Sequence, residues 1–528
     1  MKALSIKTFA VQSMPWVLAC LSGLLLTLAF PPFEQDWFGW VAFFPIALLP
    51  TYREVTIKQA VALGYVFGLV HFLSSLFWLT EVSVLGWAAL CLYLSFYPAA
   101  WYLFWCHMFH PMPARYGSVY NISRALLGAS AWVCLEWLRG WVLTGFPWNF
   151  VGVSQIKVVG LLQVAEFGGI YLVTWLVLQV GLTLCMTVRR LHSELLRKQR
   201  TNVHMEFTFG ILLIGCAFMY GMQETLREPE VSHELKFLAV QPDLPQDPWG
   251  QGISTEKALE KFADLTELGM FGREIDLIVW PETPIPQSIL YHPDFQDLFL
   301  RWNEDEERTM LFGSHAGSLK GVYNAAVLLQ GISKQPQTYY KNHLVPMGEY
   351  VPFGDTLPFL RKFVPLGDDF SAGKEMKILT FAVNGQETRV APLICFEDTM
   401  GRLARRAANL NPDLFVNLTN GGWFGRSAQT QQHLQNALPR TVEFRRPMLR
   451  VANNGVTCVI TDRGVISQKL FDPVTESTHD AGILRGSVQI STHTKKTFYA
   501  RFGNWFPLLC GLLCLIVLLK KYFRTKRE

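Results

Sequence analysis

Charged residues are scarce in this chain of 528 residues, at 17% of the sequence. A soluble domain typically carries about 25%, so the deficit argues against an ordinary cytosolic protein. Basic residues exceed acidic ones by only five. That excess is too small over this length to indicate a nucleic-acid partner. Apolar residues make up 50%, which excludes a disordered chain because such chains lack apolar side chains to bury.

The chain also lacks the sequence patterns of metal sites. It has no CxxC pair, no HExxH motif and no Cys/His cluster, so we predict neither a metal nor any other cofactor. Eight of the ten cysteines lie in apolar runs, where a cysteine usually packs as a small hydrophobic residue. Cys395 and Cys458 lie outside those runs, and a disulfide between them is one open interpretation.

Long apolar runs occupy most of residues 15–222 and return once near residue 510. A membrane-spanning helix needs about 20 mostly apolar residues. On this criterion we predict eight spans, at 15–30, 37–50, 60–80, 84–108, 124–139, 168–188, 206–222 and 504–520. The runs at 37–50 and 124–139 are short for a span, so each is also compatible with a core or re-entrant helix.

Lysine and arginine collect on every second loop between these runs. They follow the second, fourth, sixth and eighth runs, whereas the loops at 30–36 and 80–83 contain none. Basic loops mark the cytoplasmic side of a membrane protein. The pattern therefore predicts that both termini are cytoplasmic and that the segment between the seventh and eighth spans lies on the other side.

The segment between the last two spans has a different composition. Its charges are more frequent and its apolar runs shorten to strand length, as at 236–244, 274–283 and 388–398. Helical patterns at 254–270 and 428–446 separate such runs. Apolar strands that alternate with helices predict an α/β layered domain. We thus divide the chain into a transmembrane domain of seven helices (1–224), an extracytoplasmic α/β domain (225–503), and a C-terminal span with a basic cytoplasmic tail (504–528).

Three side chains suited to covalent catalysis lie at the ends of apolar runs in this domain. Glu282 and Cys395 each end one, and the carboxyl edge of an α/β sheet is where ligand sites form. Lys341 lies in an aromatic segment, with Glu349 eight residues later. We expect the Lys341 ammonium to lower the pKa of a nearby thiol, so that Cys395 is ionised, and to stabilise an oxyanion. Taken singly, Glu282 fits better as a surface glutamate and Cys395 as a buried inert thiol. Lys341 alone is equally compatible with a solvated lysine.

The ordered set of Glu282, Lys341 and Cys395 resembles the Glu-Lys-Cys triad of the nitrilase superfamily. With seven spans before this domain and one after it, the whole chain is similar to the apolipoprotein N-acyltransferase family. The segments that carry the resemblance are 241–246, 281–283, 341–346, 395–397, 417–425, 445–447 and 451–455. Met347 and Phe396 stand where we expect Phe and Tyr in relatives, which bears on how an acyl chain is held.

The resemblance implies a multi-span α-helical membrane domain plus an αββα sandwich. It also implies transfer of a fatty acyl chain from a phospholipid, typically phosphatidylethanolamine, to the α-amino group of the diacylglyceryl-cysteine that begins an apolipoprotein. Cys395 would carry the acyl group as a thioester, Glu282 would act as base, and Lys341 would hold the oxyanion. Supporting or substrate-binding roles are expected for five further residues: Glu349, Glu397, Phe396, Trp249 and Trp423.

The same resemblance implies the bacterial inner membrane, with the catalytic domain on the periplasmic side. Two other functions stay open from the residues alone. A membrane-anchored amidase or nitrilase-type hydrolase would share the triad, because the triad does not encode the acceptor. The second open function is that of a transporter or receptor with an inert outer domain.

Overall fold

The computed structural model describes residues 2–109, 117–198, 204–228, 230–246, 253–283, 285, 288–304, 307–318, 321–332, 335–363, 369–491 and 495–526. The chain divides into two compact units. One comprises Met1–Leu226 together with Phe502–Glu528, and the other comprises Arg227–Arg501.

The first unit is helical. Its helices before the second unit are α1 (Lys2–Leu28), α2 (Phe38–Val41), α3 (Phe44–Leu48), α4 (Ile57–Ser75), α5 (Val84–Leu94), α6 (Phe96–Met108), α7 (Ser118–Arg139), α8 (Val159–Leu162), α9 (Ala165–Gly168), α10 (Ile170–Leu196) and α11 (Met205–Leu226). Within the described ranges, five helices are long and apolar enough to cross a membrane: Ile57–Ser75, Val84–Met108, Ile170–Leu196, Met205–Leu226 and Trp505–Arg524.

Three of the eight predicted spans do not meet this criterion. The run at 37–50 is broken into α2, α3 and a 3-10 turn, so no single helix in it is long enough. The first run lies within α1, whose apolar part, Gln12–Leu28, is shorter than the five helices counted above. Helix α7 has the length but carries charged residues at both ends of its apolar stretch, which lowers its hydropathy. A count of eight spans therefore stays a prediction.

Glu136, near the end of α7, is buried and fully hydrogen-bonded. Its Oε1 accepts from Trp132 Nε1 at 2.8 Å and from the Val151 backbone N–H at 2.7 Å, and its Oε2 accepts from Thr174 at 2.8 Å. These bonds attach the irregular segment after α7 to helix α10. A buried carboxylate with this many donors has a structural role.

The second unit contains two six-stranded mixed sheets. The first has the order β12-β1-β2-β3-β4-β5 and the second has the order β11-β10-β9-β8-β7-β6. The strands are β1 (Val231–Gln241), β2 (Leu277–Val279), β3 (Thr309–Ser318), β4 (Gly321–Gln330), β5 (Gln337–Tyr340), β6 (Leu379–Val383), β7 (Gln386–Ile394), β8 (Leu414–Thr419), β9 (Met448–Ala452), β10 (Cys458–Ile460), β11 (Ile466–Lys469) and β12 (Gly482–Ser491).

The two sheets pack face to face, and helices cover their outer faces. Apolar side chains from both sheets form the central core. The outer face of the first sheet packs against α12 (Thr255–Met270) and α13 (Pro293–Trp302). Four further helices follow in the chain: α14 (Gly401–Ala408), α15 (Gln429–Ala437), α16 (Pro439–Phe444) and α17 (Phe498–Phe502). The last helix, α18 (Trp505–Thr525), belongs to the helical unit. The expected αββα sandwich is confirmed, with two sheets where composition alone indicated only a layered domain.

Strand directions bring the ends of several strands to one edge in each sheet. In the first sheet β2 and β3 are parallel, and β5 runs in the same direction because β4 is antiparallel to both of its neighbours. In the second sheet β7, β8 and β9 are parallel. Residues that directly follow β2 and β5, or β7 and β8, therefore meet at the carboxyl edges where ligands bind in such sheets.

Candidate active site

The three predicted catalytic side chains come together in the sandwich. Glu282 lies three residues beyond β2, Lys341 directly follows β5, and Cys395 directly follows β7. The Lys341 Nζ is 3.2 Å from Glu282 Oε1. The Cys395 thiol is close enough to both for their charges to affect its pKa. Two of the groups thus come from the first sheet and one from the second.

Lys341 lies between two carboxylates and is only 1% exposed. Its Nζ is 3.2 Å from Glu282 Oε1 and 2.9 Å from Glu349 Oε1. Burial disfavours the ammonium ion, but the two carboxylates outweigh that effect and raise the pKa of Lys341 well above its ordinary value. Lys341 is therefore a fixed positive charge that is almost completely shielded from solvent.

Asn324 joins the same two carboxylates. Its Nδ2 donates to Glu282 Oε1 at 2.8 Å and to Glu349 Oε1 at 2.9 Å. The Lys341 backbone N–H in turn donates to the Asn324 carbonyl at 2.8 Å. Asn324 lies inside β4, and nothing in the sequence near it marks it as part of the site. Antiparallel pairing of β4 with β5 places it there, since Ala325 pairs with Tyr340.

Cys395 adopts a left-handed backbone conformation, with φ of 51°. For a residue other than glycine this conformation costs roughly 1–2 kcal/mol, and such strain persists only where the surrounding structure enforces it. The residue is partly buried and begins a 3-10 turn, Cys395–Thr399. A sharp turn immediately after a strand directs the sulfur out of the strand and toward the site.

The Cys395 thiol is neutral at rest. Burial raises its pKa to about 12, helped by the Glu282 carboxylate, and the opposing effects of Lys341 and of a hydrogen bond from Thr419 are smaller. The expectation that Lys341 leaves Cys395 ionised is therefore wrong. The lysine lowers the pKa as expected, but desolvation outweighs it. The disulfide interpretation is also wrong, because Cys395 and Cys458 are both free.

Glu397 connects the cysteine turn to the lysine segment. It is fully buried and accepts hydrogen bonds from the Tyr339 hydroxyl and from the backbone N–H groups of Asn342, His343 and Ile394, at 2.7–3.0 Å. Burial raises the pKa of Glu397 to about 7, although these donors oppose the shift. Tyr339 lies in β5 of the first sheet, and Ile394 ends β7 of the second. Glu397 therefore fixes the position of the Lys341 segment relative to the Cys395 turn.

The three aromatic predictions have different outcomes. Phe396 is partly buried, and its ring centroid lies 6.2 Å from that of His343. Trp423 is 45% exposed on a 3-10 turn, Gly422–Phe424, close after the end of β8. Trp249 lies outside the described residues. In the described part of the chain, no three His, Cys, Asp or Glu side chains are grouped as metal ligands would be.

Comparisons with known proteins identify the family. A sequence model described as the apolipoprotein N-acyltransferase N-terminal domain matches residues 22–183, and one described as carbon-nitrogen hydrolase matches residues 239–490. The apolipoprotein N-acyltransferase of Chromobacterium violaceum is 30% identical over 527 residues, covering 95% of this chain and 93% of that protein. That of Methylococcus capsulatus is 31% identical over 471 residues, covering 85% and 86%. The chain belongs to the apolipoprotein N-acyltransferase family.

Family membership decides between the functions that the residues alone left open. The chain is a multi-span membrane acyltransferase, rather than a hydrolase, a transporter or a receptor. The apolipoprotein N-acyltransferase of Geobacter metallireducens, 29% identical, aligns over 95% of this chain and 94% of its own length. Both the helical unit and the sandwich therefore lie within the sequence that aligns with the family.

Thr419 contacts the candidate nucleophile, and the sequence did not single it out. Its side chain hydrogen-bonds to the Cys395 thiol. It reaches the sulfur because β7 and β8 are parallel and Ile394 pairs with Leu418, which makes Cys395 and Thr419 neighbours. A signal was present, since the segment 417–425 contributes to the family resemblance.

We expect Thr419→Val to slow alkylation of Cys395 by iodoacetamide roughly tenfold. Valine has a similar shape but no donor, and a hydrogen bond to a charged group contributes about 1.5–3 kcal/mol. The rate, followed by mass spectrometry of the Cys395 peptide, should rise between about pH 7 and 10 without a plateau in both proteins. The reason is that the thiol pKa of about 12 lies above that range.

Thr497→Val is the matched control. Thr497 is also buried and donates to the Glu443 carbonyl at 2.6 Å, in a part of the unit that does not contact the thiol. It should lose stability without slowing alkylation. Equal slowing by both variants would mean that Thr419 has no particular influence on the sulfur.

Proposed function

We propose that this enzyme moves a fatty acyl chain from a phospholipid to an apolipoprotein through a thioester on Cys395. The donor is phosphatidylethanolamine, and the acceptor is the α-amino group of the N-terminal diacylglyceryl-cysteine. Family membership supports the two substrate classes. The observation that carries the mechanism is the buried Lys341 ammonium, held by Glu282 and Glu349 beside a strained cysteine.

In the first half-reaction the Cys395 sulfur attacks the ester carbonyl of the donor. Because the thiol is neutral at rest, Glu282 takes its proton as the C–S bond forms. The Lys341 ammonium stabilises the oxyanion of the tetrahedral intermediate. The ester C–O bond then breaks, Glu282 returns the proton to the leaving oxygen, and lysophospholipid departs from an acyl-enzyme.

In the second half-reaction the acceptor amine attacks the thioester carbonyl. Its ordinary pKa of about 7.7–8.0 leaves a substantial neutral fraction near neutral pH. Glu282 takes a proton from the attacking nitrogen, the C–S bond breaks, and the proton passes to the sulfur. The products are an amide-linked lipoprotein and free enzyme. The covalent intermediate divides one difficult transfer into two easier steps.

We further propose the bacterial inner membrane as the location, with Arg227–Arg501 on the periplasmic side. The distribution of Lys and Arg over alternate loops supports this orientation. Both substrates are anchored in a bilayer by their acyl chains, which gives a reason for attaching the catalytic unit to membrane helices. The exposed Trp423 is proposed to contact lipid or acyl chain.

The test uses the purified full-length enzyme and phosphatidylethanolamine labelled in its acyl chain. Mass spectrometry should find one acyl group on the peptide that contains Cys395. A synthetic diacylated lipopeptide with a free N-terminus should then remove the label and become N-acylated, whereas the same lipopeptide with an acetylated N-terminus should leave the label in place. Free fatty acid as the sole labelled product, or label on another residue, would contradict the proposal.

A further inference from the structure

A second buried polar cluster lies against the cysteine turn, and the mechanism above does not use it. It consists of Asp398, Asn417, His433 and Arg450, which we call the turn network. All four side chains are at least 97% buried. They come from the turn after β7, from β8, from α15 and from β9.

The hydrogen bonds of the turn network converge on the backbone of Cys395. Asn417 Nδ2 donates to the Cys395 carbonyl at 3.0 Å and to the Leu393 carbonyl at 3.0 Å. Its Oδ1 accepts from Arg450 Nη1 at 2.9 Å. His433 also hydrogen-bonds to the Cys395 backbone. Two side chains from outside the turn thus contact the main chain of the nucleophile.

The other half of the network holds the same turn through Asp398. One carboxylate oxygen of Asp398 is 2.8 Å from His433 Nε2, and the other accepts from Arg450 Nη1. A carboxylate only accepts, so His433 Nε2 donates. Asn417 and Arg450 are direct partners in the parallel pairing of β8 with β9. The register of the second sheet therefore sets the position of Arg450 relative to the turn.

Stability alone does not account for this arrangement. Removing two charges from water offsets much of their attraction, so buried ion pairs are often no more stabilising than apolar packing. What hydrogen-bonded charges do provide is direction, because each bond fixes a distance and an angle. The left-handed φ of Cys395 needs such enforcement.

We propose that the turn network is a positioning device for the nucleophile: it fixes the strained backbone of Cys395 so that the sulfur faces Glu282 and Lys341. The inference rests on the proposed function, since it assumes that Cys395 is the group acylated. The network residues act through Cys395 and do not touch the substrate. Their loss should therefore slow acylation while leaving phospholipid binding unchanged.

The first comparison uses Arg450→Met and its matched control Arg446→Met in the full-length enzyme. Arg446 is a second buried guanidinium of the same unit, but it donates to the Pro412 and Arg445 carbonyls rather than to the network. We expect Arg450→Met to lower the rate of Cys395 acylation roughly tenfold to a hundredfold, with KM for phosphatidylethanolamine within about twofold of wild type. Arg446→Met should lose stability without slowing acylation.

The second comparison uses His433→Leu and its conservative counterpart His433→Gln, which settles the matter if Arg450→Met fails to fold. Glutamine can supply an N–H to Asp398, and leucine cannot. His433→Leu should slow acylation at least about tenfold, and His433→Gln should recover most of the rate. Failure of glutamine to recover the rate, or a rise in KM in place of the fall in rate, would overturn the positioning role.

Alkylation of Cys395 by iodoacetamide keeps this test separate from that of the proposed function. It needs no lipid, and the Cys395 peptide is read by mass spectrometry in each variant. If wild type forms no acyl adduct, the proposed function fails, and the alkylation rates still test the network. Equal alkylation rates in wild type, Arg450→Met and His433→Leu would show that these residues do not position the sulfur.

Discussion

Cys395→Ala is expected to abolish acyl transfer and to leave no acyl adduct on the protein. In the proposed mechanism the sulfur forms the bond that holds the acyl group, and removing an enzymatic nucleophile costs at least about a thousandfold in rate. Only one side-chain atom is removed, so the unit should still fold. The measurements are mass spectrometry of the acyl-enzyme and N-acylation of a diacylated lipopeptide.

Cys458→Ala provides the matched control for this experiment. Cys458 is a free cysteine of the same unit, buried in β10, and burial raises its pKa to about 12. The two cysteines thus share their residue type and the direction of their pKa shift, and they differ in their distance from Glu282 and Lys341. The Cys458 variant should keep its activity. Full lipidation activity in Cys395→Ala would remove the covalent mechanism.

Lys341→Met is expected to have the second largest effect, with losses of both activity and stability. In the proposed mechanism the ammonium stabilises the oxyanion, and loss of such a group typically lowers the rate about a hundredfold to a thousandfold. Two carboxylates, the buried Glu282 and the partly buried Glu349, would also lose their shared partner. Breaking a buried ion pair from one side costs about 3–5 kcal/mol. Acylation rate and thermal unfolding of the variant in detergent measure the two losses.

A double variant separates the two effects. The ammonium of Lys341 and the carboxylates of Glu282 and Glu349 have a net charge of +1 − 2 = −1. Lys341→Met changes this net charge to −2, and adding Glu349→Gln restores it to −1. We expect the double variant to recover a large part of the stability without recovering the acylation rate. If activity returned together with stability, Lys341 would be a structural counterion and not the group that stabilises the oxyanion.

The sequence predicts the three strand-end residues because their signal is local. Each ends an apolar run or lies in a distinctive segment, and parallel strands bring such ends to one edge. Asn324 and Thr419 could not be assigned in this way. Their contacts with Glu282 and Cys395 depend on the pairing of β4 with β5 and of β7 with β8, which a single sequence does not reveal.

The protonation state of Cys395 shows a second limit of sequence reasoning. The positive charge of Lys341 correctly predicted that it lowers the pKa of the Cys395 thiol. The net pKa depends on how much water the folded chain removes from around the sulfur, and that quantity arises only from packing. The span predicted at 124–139 differs from the structure for another reason. Helix α7 is long enough to span a bilayer, but Arg124, Glu136 and Arg139 lower its hydropathy, and it is not among the five helices that meet the membrane criterion.

Because the proposed active site is divided between two sheets, we expect catalysis to be sensitive to movement of one sheet relative to the other. The proposed base and cation follow strands of one sheet, whereas the sulfur follows a strand of the other, and Glu397 links the two sides. A small lateral shift of one layer over the other would separate the reacting groups while every strand kept its pairing. Conditions that loosen interior packing should therefore abolish the activity of this enzyme well before its secondary structure unfolds.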